Sequence, residues 1–192
     1  MKKIPDKLGP LVSVIMNCYN GEKYLRESIC SVINQTYKNW EIIFWDNQST
    51  DRSRKILKSF KDKRIKYFRS KNFSKLYTAR NLAISKAKGK FISFLDVDDY
   101  WINTKLEKQI SLFKKEKNLI VVYSNVFILN NSNKSYKLFS KDMLPSGKIT
   151  QNLLSNYRMP VITTILKKSI FDKIKFKNNY EIIGDFDFFT KL

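Results

Sequence analysis

Three of the chain's 17 acidic residues fall within four positions, in the run Asp96-Val97-Asp98-Asp99, directly after the apolar segment FISFL at 91–95. Crowding like charge in this way has an electrostatic cost that a bound cation removes. Two carboxylates one residue apart, Asp96 and Asp98, leave room for water and for the oxygens of a diphosphate around Mg²⁺ or Mn²⁺, hard ions that take oxygen ligands. The structural alternative is an acidic loop in which Asp99, or Asn103 beyond it, caps the following helix. His is absent from all 192 residues, which excludes Ser-His-Asp and Cys-His catalysis, His-ligated zinc and imidazole pH sensing. Acid-base chemistry therefore falls to carboxylates, Lys, Tyr or Cys. The two cysteines, Cys18 and Cys30, are too few for a disulfide framework or a four-thiolate metal site and read as buried thiols.

The elements that must position these residues follow from periodicity. Short β-branched or aromatic runs at 11–16, 41–45, 65–68 and 91–95 predict strands. Between them, apolar residues at helical spacing predict helices over 24–33, 51–60 and 75–87, the last stopped by Gly89. Three strand-helix units with short connections imply parallel strands joined by crossovers, in an α/β sheet covered by helices on both faces. Open sheets of this kind bind ligands at the carboxyl ends of their strands. The residues there are 17–20, 46–49 and 96–99, all polar and two of the three acidic. Beyond Trp101 the spacing predicts a helix through Leu106, Ile110 and Phe113, strands at 119–123, 126–129 and 161–166, and a hairpin turn at 130–135. A last apolar, helical stretch follows Asp185 and is cut off at Leu192, which predicts an incomplete C-terminus.

Composition bounds the rest. A chain of 192 residues, 43% hydrophobic and with only five Gly and four Pro, fits one well-buried core and a single domain, and is neither a disordered tail nor a linker. No run approaches the roughly 20 apolar residues of a membrane span. The apolar stretch after the basic N-terminus is too short for a secretory signal, so a cytoplasmic location is expected. Against 17 acids stand 37 basic residues, a formal charge of +20. Seven of them are Arg and the remainder Lys, spread along the chain. Phosphate and base recognition favour the planar Arg fork, so no nucleic-acid partner is expected. The excess is either a solvated face or a means of peripheral contact with an anionic membrane, with Lys114, Lys115, Lys117, Lys167, Lys168, Lys173, Lys175 and Lys177 flanking the second half.

The segments SVIMNCYNGEKYLRESICSVINQTYKNWEIIFWDNQSTDRS at 13–53, ARNLAISKAKGKFISFLDVDD at 79–99 and IIGDFDFFTKL at 182–192 closely resemble the inverting family-two glycosyltransferases with the GT-A fold. The resemblance covers roughly Val12 to Leu192, in the family's order and spacing. It implies a nucleotide-sugar donor bound by about 1–100, an acceptor half over about 101–192, and a divalent cation on a D-x-D element. It further implies transfer to a glycan or lipid-linked acceptor hydroxyl with inversion at the anomeric carbon, in surface polysaccharide or lipooligosaccharide synthesis.

Residue by residue, the resemblance places Asn17, Tyr19 and Asn20 at the donor's base and ribose, with Tyr19 stacking and Asn17 hydrogen-bonding. After the second strand the family carries two aspartates; this chain has Asp46-Asn47, so pyrimidine recognition would run through an amide, and a UDP-sugar is the expected donor. Arg80 falls where a diphosphate ligand is expected, or is a surface helix charge. The D-x-D element lands on Asp96 and Asp98, with Asp98 favoured as the direct metal ligand, Asp96 facing ribose or metal, and Asp99 the substitute in a shifted register. The catalytic base lands on Asp185, and a carboxylate suits a reaction in which the attacking hydroxyl must lose its proton. Asp187 is the rival base, turned away by helical geometry.

Two other readings remain open on the sequence. A nucleotidyltransferase shares the sheet and the metal but needs a Gly-rich phosphate loop, which Gly21 alone does not make. A basic module for anionic surfaces would leave the acids purely structural.

Overall fold

The computed structural model describes residues 9–130 and 132–192. Four parallel strands form its centre: β1 Val12–Cys18, β2 Trp40–Asp46, β3 Ile65–Arg69 and β4 Phe91–Phe94. They are linked by α1 Leu25–Ile33, α2 Ser53–Ser59 and α3 Leu76–Ile84. After α4 Lys105–Lys115 come β5 Val121–Val122, a hairpin of β6 Phe127–Asn130 and β7 Ser135–Leu138, α5 Thr150–Ser155, β8 Ile165–Lys167 and α6 Gly184–Phe189. The main sheet has the order β3-β2-β1-β4-β8-β5, with β8 antiparallel to both neighbours, and the β6-β7 hairpin stands apart. This is the mostly parallel α/β sheet with helices on both faces that the alternation of elements predicts.

β1 and β2 are almost continuously apolar because both faces are covered. Their alternate residues serve separate cores. Val12, Val14, Met16, Ile42 and Phe44 pack with α1, α2 and α4, whereas Ile15, Ile43 and Trp45 pack with α3, α6 and the Phe171–Phe176 cluster. The strand order reverses between β1 and β4, so the loops after those two strands diverge and leave a crevice at the carboxyl edge, the place where such sheets bind ligands.

The predicted strand at 161–166 is split. Val161–Thr163 forms a 3₁₀ turn and only Ile165–Lys167 joins the sheet. Thr163 and Thr164 each donate a hydroxyl back to a backbone carbonyl three residues earlier, an alternative to ladder pairing that β-branched periodicity does not reveal. The helix α5 went unread because it buries only Leu153 and carries no apolar stripe.

Candidate active site

The site is built from the carboxyl ends of β1, β2 and β4 and from the start of α6. Register pairs Cys18 with Asp46, and Leu95 donates its backbone N–H to Ile15. The three polar segments that the sequence marks, 17–20, 46–49 and 96–99, therefore lie side by side. Gly21 lets the loops after β1 and β4 meet: a Cβ there would stand 2.7 Å from Val97 Cγ2.

Asp96 is half-exposed and Asp98 exposed. Asp99 is more buried, and burial together with the charges of Asp96 and Asp98 pushes its carboxyl up to about 6. Among the described residues no three His, Cys, Asp or Glu side chains gather closely enough to hold a metal ion unaided. Asp96 and Asp98 instead offer two carboxylates with open positions beside them. Such a donor set fits an ion that takes one or two carboxylates and completes its shell with phosphate oxygens and water.

Behind these acids lies Arg80, 2% exposed, on the inner face of α3. Its Nη1 donates to Asp185 Oδ1 at 2.7 Å and its Nη2 reaches Asp96 Oδ1 at 3.4 Å. The rings of Tyr77, Phe94 and Phe176 surround the guanidinium, with centroids 5.3 to 5.5 Å from Cζ. Arg80, a candidate diphosphate ligand by resemblance, has its terminal nitrogens engaged by two carboxylates. Asp185 is thereby brought beside the D-x-D element although 105 residues separate it from Arg80. Burial raises the Asp185 carboxyl above its ordinary value, and Arg80 opposes that rise.

Two features aim Asp185. Gly184 packs so closely on Tyr77 that a Cβ would meet the ring at 2.4 Å, and Tyr77 donates its hydroxyl to the Ile182 carbonyl at 2.9 Å. Asp187 points elsewhere, with Lys191 at 2.5 Å and Lys177 at 3.5 Å. Against the effect of burial, these lysines hold its carboxyl below the usual value. The Tyr157 hydroxyl is buried without a hydrogen-bond partner among the described residues, and it interacts electrostatically with Asp185.

At the other end of the crevice, Tyr19 (55% exposed) meets Phe73 (61% exposed) edge to face at 4.9 Å. Two aromatic rings held in water beside a strand end make a stacking platform for a planar ring. Phe73 went unread in the sequence; its only signal is an isolated aromatic in the polar loop KNFSK. Asn17 Nδ2 is buried with no partner among the described residues, a free donor next to this platform in sequence.

The remaining candidates hydrogen-bond within the chain. Asn20, in the left-handed region at φ 53°, accepts from the backbone of Thr50 and Asp51. Asp46 accepts from the Ser49 N–H and the Tyr67 hydroxyl, both at 2.7 Å. Asn47 donates to the Ser74 carbonyl at 2.7 Å and accepts from the Ser74 N–H and hydroxyl, which anchors the loop that carries Phe73.

Residues 13–183 match the family described as Glycosyl transferase family 2. Over 167 residues the chain is 40% identical to UDP-Glc:alpha-D-GlcNAc-diphosphoundecaprenol beta-1,3-glucosyltransferase WfgD of Escherichia coli, covering 86% of this chain and 64% of that protein. In fold it is similar to S. aureus TarS 1-349 in complex with UDP, with a TM-score of 0.68 and 21% identity over 92% of this chain and 53% of that one. It is also similar to the mannosyltransferase PcManGT from Pyrobaculum calidifontis in complex with GDP-Man and Mn²⁺, with a TM-score of 0.64 and 16% identity over 92% of this chain and 52% of that one. The chain thus spans about half to two thirds of the length of these proteins. The GT-A fold expected from the sequence is the fold of these structures.

Proposed function

The chain belongs to glycosyl transferase family 2, and from that premise we propose that it transfers a sugar from a UDP-sugar to a hydroxyl of a glycan or lipid-linked acceptor, with inversion at the anomeric carbon. The single observation that carries this reading is the buried Arg80, which joins Asp185 to Asp96 at the carboxyl edge of a parallel sheet.

In this reading Tyr19 and Phe73 stack on the nucleobase, and Asn17 donates to it through its unpaired amide. Asp96 and Asp98 hold Mn²⁺ or Mg²⁺ together with the donor diphosphate. When bound, the cation neutralises charge that builds on the departing diphosphate oxygen. Asp185 accepts the proton of the acceptor hydroxyl as it attacks; its raised pKa brings it nearer the operating pH, where a general base works best. Arg80 keeps Asp185 ionised and aimed, and offsets the repulsion between the two carboxylates that it brings together. The relative named for a diphosphoundecaprenol-linked substrate supports a lipid-linked acceptor and, with it, work at the inner face of a membrane. Among the described residues no helix is long and apolar enough to cross one.

Calorimetry and thermal unfolding with UDP and Mn²⁺ test the donor site. The intact protein is expected to be stabilised by both together, by mass action. Asp98→Asn should lose that response while its own melting temperature holds or rises. An unchanged response in Asp98→Asn removes the metal assignment, and no response in the parent removes the nucleotide reading. Asp185→Asn should bind UDP and Mn²⁺ as the parent does and lose roughly 10²–10⁴-fold in transfer to a GlcNAc-diphosphate lipid.

A further inference from the structure

Among the described residues the β6-β7 hairpin carries an exposed apolar face. Cross-strand register places Phe127 opposite Leu138 and Leu129 opposite Tyr136, and opposed residues share a face. Phe127 and Tyr136 are each 60% exposed, and their rings meet edge to face at 6.5 Å. A two-stranded ribbon is marginal in water by itself, and among the described residues this one is tied down near its base and at one hydroxyl pair. Phe139 donates its N–H to Val126, Asn125 donates to the Ser140 carbonyl, and Tyr136 and Tyr100 share a hydrogen bond at 3.0 Å. A contiguous apolar face left in water marks a contact surface.

The chemistry of the segment selects the partner. Residues 127–141 contain no Asp or Glu and include Lys134, Lys137 and Lys141. In a chain of formal charge +20, a second copy would bring the same positive charge to the contact. An anionic lipid surface complements both features: it accepts Phe, Leu and Tyr at the headgroup level and attracts the lysines of the same segment, of which Lys137, opposite Ile128, stands on the ribbon's other face.

Position points the same way. β5 runs parallel to β4 through their shared antiparallel neighbour β8, so the chain leaves β5 at the carboxyl edge of the sheet, the edge that holds Asp96. The hairpin projects from that edge and touches Tyr100, next to the acidic run. By contrast, Lys117, Lys167 and Lys168, which the sequence assigns either to a solvated face or to membrane contact, gather at the start of β4, where Lys167 pairs with Phe91. Their contacts include Nζ bonds from Lys167 to the Lys117 carbonyl and from Lys168 to the Ala87 carbonyl. A membrane meeting those lysines would lie at the wrong end of the sheet for the acids.

We propose that the β6-β7 hairpin is the membrane-docking element of this protein, seating Phe127, Tyr136 and Leu138 in the headgroup region of an anionic bilayer and holding the acid-lined crevice close to it. The inference stands on this surface and does not depend on the transferase reading, so vesicle binding tests it without any activity assay.

Cosedimentation with phosphatidylcholine vesicles, with and without phosphatidylglycerol, decides. The parent chain should prefer the anionic vesicles and release them in high salt. Phe127→Ser combined with Leu138→Ser should weaken binding by about tenfold or more, because both side chains are exposed and their loss removes apolar contact without changing charge. Lys134→Gln, Lys137→Gln and Lys141→Gln together should remove the preference for anionic lipid. Lys117→Gln, Lys167→Gln and Lys168→Gln together should leave binding within about twofold. The proposal is overturned if the parent fails to bind or to discriminate, if the serine pair binds as the parent does, or if the second lysine triple abolishes binding. A parent dimer that the serine pair dissolves also overturns it, in favour of a second copy on this face.

Discussion

Arg80 Nη1 lies 2.7 Å from Asp185 Oδ1, and the same guanidinium spans to Asp96 at 3.4 Å, so one buried cation fixes the spacing of two acids drawn from different parts of the chain. Lysine cannot reproduce a planar fork that meets two carboxylates at once. Arg80→Lys is expected to lower transfer about 10–100-fold and to move the acidic limb of the pH–rate profile to higher pH, because Asp185 loses the partner that opposes the effect of burial. Arg80→Met should also destabilise the fold by about 1–3 kcal/mol, less than the cost of stranding a fully buried charge because Asp96 and Asp185 are partly exposed. A pH–rate profile of Arg80→Lys that superimposes on the parent's would assign Arg80 a purely structural role.

The aromatic pair makes a separable prediction about binding. Tyr19 and Phe73 are exposed, so Phe73→Ala should leave thermal stability within about 0.5 kcal/mol. Its UDP affinity should fall by roughly five- to fiftyfold, the worth of one stacked ring by analogy with base–aromatic contacts. Titration calorimetry of Phe73→Ala reads this directly. Equal UDP affinity in Phe73→Ala would leave Tyr19 to stack alone.

Gly184 tests how tightly the base is aimed. A Cβ at 2.4 Å from the Tyr77 ring must push α6 or the ring aside, and it lies next to Asp185. Gly184→Ala is expected to cost about 1–3 kcal/mol through overpacking and to reduce turnover about 10²-fold with little change in UDP affinity. Thermal unfolding and calorimetry on one preparation separate the two effects.

Asp99 sets a pH dependence of stability. Its folded pKa of about 6 exceeds an ordinary carboxylate value, so between about pH 4 and pH 6 the folded state holds a proton that the unfolded chain has released. Stability from this group is therefore greatest at the acidic end of that window and falls as pH rises through it. Asp99→Asn removes the slope, and the parent-minus-variant difference should change by about 1–2 kcal/mol across the window, allowing for partial solvent screening. Mn²⁺ with UDP should flatten the same difference by supplying positive charge. Denaturant titrations at pH 4, 5, 6 and 7 check both signs.

What the sequence determined by itself is local. The alternation of β-branched runs with helical spacing carries the parallel α/β sheet, because a strand buried on both faces must read as continuous apolar residues and a helix on one face as a stripe. The acidic run stood out since nothing in an ordinary strand-to-helix loop asks for three carboxylates together. Asp185 and Asp187 were distinguishable because residues two apart on a helix face different ways, and the structure does send Asp187 to Lys191.

What only the tertiary structure decided is which distant groups share an environment. Arg80 looks like any helix arginine until α6 folds over it from 105 residues away and Tyr77, Phe94 and Phe176 close around it. Asn47 shows no partner in the sequence, whereas in the fold Ser74 meets both ends of its amide. Phe73 has no periodicity to read, since a loop residue takes its neighbour from where the chain returns and not from its own spacing. The hairpin's apolar face likewise follows from register and from the edge at which β5 ends. Periodicity reports which side of an element is buried; it carries no information about pairs joined across the fold, and the chemistry of this site lies in such pairs.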